Sequence, residues 1–163
     1  ILEQTHGPRI RISSTGIEFI SDELLKLYEE NRINPHLHLS IQSASDTVLK
    51  RMNRKYNREM LINRLERINE ITRKDDALLS IGADMIVGFP GETDGDHEQS
   101  VRLIKDYNIT KLHAFPFSAH VSAHSVPAAK LLDQIDQNTK YERLREIIAA
   151  GDSVREKFVQ ANQ

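Results

Sequence analysis

Four short strand-like runs, each separated from the next by a stretch of helical spacing, restrict this chain's fold more than any other feature. "PRIRIS" (Pro8 to Ser13) alternates charged and apolar residues, placing Ile10 and Ile12 on one face, as a strand does. "HLHLSIQ" (His36 to Gln42) does the same with Leu37, Leu39 and Ile41. "LLSIGADMIVGF" (Leu78 to Phe89) is nearly continuous apolar, which suits a strand buried on both faces. "KLHAFPF" (Lys111 to Phe117) is the fourth.

Helical patterns fill the intervals. Ser21 caps a helix whose first turn carries Asp22 and Glu23, favourable at the positive end of the helix dipole. It carries Leu24, Leu25, Leu27 and Tyr28, and Asn34-Pro35 sets its limit. Ser45 and Asp46 open a short helix to about Asn53, and a longer one from Asn57 carries Leu61, Leu65, Ile68 and Ile71. Thr93 or Asp94 caps the next, with Val101 and Ile104 inward. A polar loop over Ser118 to Pro127 precedes a final helix from about Asp136. Its expected inward face is Tyr141, Leu144, Ile148, Val154 and Phe158, with Gly151 a weak point. Strands alternating with helices predict an α/β fold with a parallel sheet of about four strands and right-handed crossovers. Four strands are too few to close a barrel. The 163 residues suit a single domain spanning residues 1–163.

Composition narrows the chemistry. The sequence has no cysteine, which excludes disulfides, thiolate metal sites and thiol nucleophiles within it. A net charge of −2 gives no bulk attraction for nucleic acid, although "KRMNRKYNR" (Lys50 to Arg58) is a local basic cluster. No membrane-length apolar run or signal peptide is present, so a cytoplasmic location is expected. The chain starts at Ile1 without an initiator Met and stops within a helical pattern, so we expect a piece of a longer protein.

Ligands of parallel α/β sheets bind beyond the carboxyl ends of the strands. Those ends are Ser13-Ser14, Gln42-Ser43, Gly88 to Glu92, and Phe117-Ser118. Gly88 and Gly91 bracket a turn where backbone can approach a ligand, although the same glycines with Pro90 also serve simply to shape a turn. Asp84, inside an apolar run, requires a partner, either a ligand hydroxyl or ammonium or a core arginine such as Arg11. His36, His38 and His113 with a carboxylate offer a zinc site and hence a metal-dependent hydrolase. Their early positions in the strands argue instead for hydrogen-bonded structural histidines. A non-enzymatic binding domain is a third possibility.

Taken together, "HLHLSIQSASDTVLKRMNRKYNRE", "DMIVGFPGETDGD", "KLHAFPFS" and "VPAAK", in this order, resemble the methylthiotransferase branch of the radical S-adenosylmethionine (SAM) enzymes. The similarity runs from about Arg9 to Arg145. "LHAFPFSAH" is similar to the subgroup that methylthiolates a modified adenosine beside the tRNA anticodon, and a ribosomal-protein side chain is the alternative substrate in the family.

The resemblance implies a partial (β/α)6 barrel and a 4Fe-4S cluster held by a three-cysteine loop that this chain does not contain. The chain alone is therefore expected to be inert, and the truncated sheet to pair or cover its Arg9 to Ser13 edge. The complete enzyme would cleave SAM to a 5′-deoxyadenosyl radical and act on tRNA. By the same resemblance, Ser13, Ser14, Gln42, Ser43, Asp84, Ile86, Gly88, Glu92, Phe115 and Phe117 border SAM, while Arg51, Arg54 and Lys55 face RNA phosphates. No residue of this chain is expected to be catalytic or to hold the cluster. Two departures stand out: Ala44 replaces the usual glycine, and the stretch 119–126 looks longer than the family's.

Overall fold

A computed structural model describes residues 7–118 and 127–161. Three strands, β1 (His36–Gln42), β2 (Ser80–Val87) and β3 (Ile109–Pro116), form one parallel sheet in the order β1-β2-β3. The helices are α1 (Asp22–Leu27), α2 (Asp46–Arg51), α3 (Arg58–Asn69), α4 (Asp94–Asp106) and α5 (Gln137–Ala161), with 3-10 turns at Ile17–Phe19 and Pro127–Lys130. The open parallel sheet with covering helices is the expected class.

The fourth strand is a correction. Residues of the Pro8 to Thr15 segment meet the rest only in two isolated parallel bridges, Ile10 to Ile33 and Thr15 to Leu39. Thr15 exchanges backbone hydrogen bonds with His38 and Ser40, at 2.9 and 3.0 Å, while Ile10 bonds Arg32 and Asn34 instead. A segment anchored to two different stretches does not build a continuous ladder. The first helix also ends earlier than Asn34-Pro35 implies, at Leu27, capped by Tyr28. Tyr28 is fully buried, and the chain turns back there to bring Ile33 into the core.

Several helix starts follow their capping chemistry. The side chains of Ser21, Ser45 and Asn57 accept the backbone N–H of Leu24, Val48 and Met60. Thr93 forms a reciprocal capping box with Asp96. The main core packs Leu37, Leu39 and Ile41 of β1 and Ile81, Ala83, Met85 and Val87 of β2 against the helices.

The sheet has one covered face and one open face, which corrects the expectation that β2 is buried on both sides. Alternate residues Asp84 and Ile86 are only half-buried, and Lys111, His113 and Phe115 of β3 are exposed beside them. The inward face of α5 is also rotated from the expected one. Lys140, Arg143, Ile147, Ala150, Gly151 and Val154 are buried, whereas Tyr141 and Ile148 lie outside. Two cations take inward positions because each has a partner: the Lys140 ammonium sits 5.5 Å from the Phe117 ring centroid, and Arg143 pairs with Glu92.

Candidate functional site

The open face ends in a cleft of about 850 Å³ at the carboxyl edge of the strands. That volume is in the range of small-molecule sites. Gln42 closes β1, Asp84 and Ile86 come from β2, Phe115 from β3, and Phe117 lies just past its end. Arg51 and Arg54 stand at its rim on the α2 side. Seven of the thirteen residues expected at the site therefore meet in one concavity.

Local backbone explains why Gln42 is there. The β1–β2 register shifts between Leu39 and Gln42, and Gln42 has φ of 66°. A non-glycine residue in the left-handed region is uncommon outside turns and functional sites. Tyr56 fixes the approach to it, its hydroxyl donating to the carbonyls of Ser40 and Ile41 at 3.0 and 2.5 Å. Burial pushes the Tyr56 phenol up to about 12, so it stays a donor at any physiological pH. Ala44, despite replacing the usual glycine, is fully buried, its N–H donating to Ser100 Oγ.

The remaining expected residues take other places. Ser43 is buried, its hydroxyl accepting the Ser45 N–H at 3.2 Å. Glu92 is turned into the protein: its carboxylate accepts the Gly88 N–H at 2.7 Å and pairs with Arg143 at 2.9 Å. Gly88 itself has φ of 68°, and a Cβ there would come 2.3 Å from Lys140 Cγ. Gly88 and Glu92 thus build the turn beneath the cleft. Ser14 reaches the open face through Ser40, with the two hydroxyls 2.8 Å apart, while Ser13 is exposed and its carbonyl accepts the Thr15 hydroxyl. Lys55 is exposed and does not line the cleft. Arg51 is partly engaged already, 2.6 Å from Asp133 and donating to the Pro90 carbonyl at 3.1 Å. The stretch 119–126 lies outside the described residues.

Two features escaped the sequence. Phe89 packs edge-to-face on Phe117 with centroids 5.0 Å apart, making an aromatic wall together with Ala128 and Val48. Its apolar neighbours in "IVGFPG" marked it only as strand end. The second is the partner of Asp84. Its Oδ1 lies 2.9 Å from His38 Nε2 and 3.3 Å from His113 Nδ1, not beside Arg11. The trio His36, His38 and His113 is not the one assembled, because His36 turns its Nδ1 to Ser80 Oγ at 3.1 Å.

A partial parallel α/β sheet with its open cleft beyond the strand ends defines the class, and sequence comparison agrees. The chain belongs to the radical SAM superfamily, whose family model matches residues 1–104. More particularly, it is 40% identical over 151 residues, 92% of its own length, to "Threonylcarbamoyladenosine tRNA methylthiotransferase MtaB" of Bacillus subtilis (strain 168). The relative of the same name from Thermotoga maritima is 39% identical over 146 residues, 88% of this chain. The chain spans about a third of the length of these curated relatives, 32% of each. Among solved structures, coproporphyrinogen III oxidase (HemN) from Escherichia coli, a radical SAM enzyme, superimposes with a TM-score of 0.69. That match covers 90% of this chain and 32% of the other at 20% identity, a likeness of fold alone.

Proposed function

We propose that this chain is the carboxyl-side part of the SAM-binding core of a methylthiotransferase acting on threonylcarbamoyladenosine in tRNA. The observation that carries it is the convergence of Gln42, Asp84, Ile86, Phe115 and Phe117 on one cleft, in a chain about 40% identical to relatives with that name. The donor set fits the adenosyl half of SAM. Phe115 and Ile86 offer apolar surface to a purine, while the Gln42 amide and Asp84 carboxylate can accept from hydroxyls or an amino group. When bound, SAM supplies the adenosyl group from which such enzymes generate their hydrogen-abstracting radical. The 4Fe-4S cluster does not fit here, because the sequence contains no cysteine thiolate to ligate iron. The role of this chain is thus to bind and orient.

Arg51 and Arg54 at the rim suit an anion arriving from outside, either a cofactor carboxylate or an RNA phosphate. Arg54 is the better placed for RNA, because Arg51 already pairs with Asp133.

A segment exchange tests the proposal. In the Bacillus subtilis relative, the matching stretch is replaced by this chain and expressed in a strain lacking its own copy. Mass spectrometry of digested tRNA should then show methylthiolated threonylcarbamoyladenosine. A soluble, cluster-loaded chimera that leaves this nucleoside unmodified, while the unaltered relative modifies it, would count against the assignment.

A further inference from the structure

One level below the cleft, three side chains from three adjacent strands point at one spot. One ligand atom from each of His38, Asp84 and His113 lies within 4.8 Å of the other two, and His38 Nε2 and His113 Nδ1 face the same carboxylate oxygen, Asp84 Oδ1. A borderline divalent ion such as Zn²⁺ binds nitrogen at about 2.0–2.1 Å and carboxylate oxygen at about 2.0–2.2 Å. For a tetrahedral ion those bonds place neighbouring donors about 3.4 Å apart. The observed separations of 2.9 and 3.3 Å from Asp84 to the two histidines are close to that spacing.

The register makes this cluster possible. His113 pairs with Asp84 across β2 and β3, and His38 pairs with Gly82 across β1 and β2. A side chain at position 82 would fill the room the rings occupy: its Cβ would come 2.4 Å from His38 Nδ1 and 3.0 Å from His36 Cε1. Glycine there lets both imidazoles lie over the strand, and His38 can then reach diagonally to Asp84. The ring contacts agree, with centroids of His38 and His113 5.0 Å apart. His36 stays out of the set, held through Ser80, whose hydroxyl is 2.8 Å from Thr110.

We propose that His38, Asp84 and His113 form a site for one divalent transition-metal ion, of the Zn²⁺ or Co²⁺ type, on the floor of the cleft. Two imidazoles and one carboxylate are the donors such ions favour, and three protein ligands leave a fourth position for water or a ligand atom. That position faces the open side of the sheet, toward the cleft that Asp84 also lines. Two of the three donors are imidazole nitrogens. Binding should therefore be selective for ions that form strong nitrogen bonds, with Mg²⁺ and Ca²⁺ excluded. The proposal does not depend on what the cleft binds.

Cobalt titration of the chelator-treated 163-residue chain provides the test. With no thiolate present, a low-coordinate histidine site shows as visible d–d absorption that saturates near one equivalent. His113→Ala and Asp84→Asn should each weaken binding by more than about tenfold. His36→Ala should leave it unchanged. Circular dichroism and thermal unfolding confirm that each variant is folded. Should His38→Ala unfold, the exposed His113 variant still decides. Absence of a saturable equivalent, or binding that survives in folded His113→Ala and Asp84→Asn, overturns the site. Magnesium at equal concentration competing with cobalt would overturn the donor assignment.

Discussion

Arg143 of α5 holds Glu92 at the base of the β2–α4 turn from two directions. Its Nη1 lies 2.9 Å from the carboxylate Oε2 and donates to the same residue's carbonyl at 3.0 Å, with both side chains nearly inaccessible. The carboxylate in turn accepts the Gly88 N–H, so the last long helix is tied through one ion pair to the glycine turn beneath the cleft. Burial pushes the Glu92 carboxyl up, against the pull of Gly88 and Arg143. Replacing Arg143 by Ala leaves that carboxylate buried without its cation, a loss of about 3–5 kcal/mol by urea unfolding at pH 8. Glu92→Gln keeps an acceptor for Gly88 and leaves Arg143 paired with Asp94 at 2.7 Å, so it should cost about 1–3 kcal/mol. The sign with pH follows from the raised carboxyl: protonation favours the folded state as pH falls. The Arg143→Ala defect should then be smaller at pH 5 than at pH 8; a constant gap would contradict this account.

Gly151 invites a different substitution. In an isolated helix, alanine at this position would gain about 1 kcal/mol. Here the helix passes so close to β3 that a Cβ would lie 2.9 Å from Leu112 Cβ and 3.0 Å from its Cδ2. The β-carbon of Leu112 belongs to a strand and cannot swing away, so overpacking at about 1–3 kcal/mol should win. Gly151→Ala is expected to lower the thermal midpoint. A rise would mean that α5 can slide on the sheet.

What was readable in the sequence depended on local chemistry. "HLHLSIQ" is β1 residue for residue, and the caps at Ser21, Ser45, Asn57 and Thr93 start their helices as their side-chain oxygens require. The strand expected over Pro8 to Ser13 has the right alternation, but pairing is a long-range property, and its neighbours bond it at only two points. Periodicity assigned Tyr141 and Ile148 inward on α5. The actual inward face contains Lys140 and Arg143, because an aromatic ring and a buried carboxylate wait there, and neither is visible from the helix alone. Among the cleft residues, strand-end positions pointed to Gln42 and Phe117, whereas Ile86 and Phe115 came only from the family resemblance. The same rule kept the histidines out of the cleft, and His36 bonds Ser80 while His38 bonds Asp84. The diagonal reach from His38 to Asp84 depends on β-sheet register and could not be read from the strands singly.

Phe115 offers a direct measure of the cleft. The residue is 55% exposed, so truncation to Ala should change stability little while removing a surface on which a purine can stack. Base–aromatic stacking is worth about 1–3 kcal/mol. The chain alone should bind S-adenosylhomocysteine weakly, with Kd on the order of 1 mM, about −4 kcal/mol. Amides of Gln42, Ile86 and Phe115 should shift first on titration, and Phe115→Ala should weaken binding at least about fivefold. Shifts centred on His36 instead would place the ligand elsewhere.

His36 should make the fold sensitive to acid. Its ring is buried among β1, β2 and β3, with Nδ1 near Ser80 and Nε2 without a partner among the described residues. Burial, reinforced by Arg11, His38, Lys111 and His113, lowers its pKa from the ordinary 6.5 to about 4. The folded protein thus holds this imidazole neutral where the unfolded chain protonates it. Stability from this source is complete above about pH 6.5 and is lost as pH falls toward 4. The full shift corresponds to at most about 3 kcal/mol, and water at the open face reduces it to roughly 1–2 kcal/mol. His97, also lowered by burial, acts in the same direction. His36→Asn keeps a polar side chain of similar reach without a titrating ring, so its unfolding free energy should fall less between pH 7 and pH 4.5 than that of the parent chain. Parallel pH profiles for the two proteins would show that His36 is not the group being protonated.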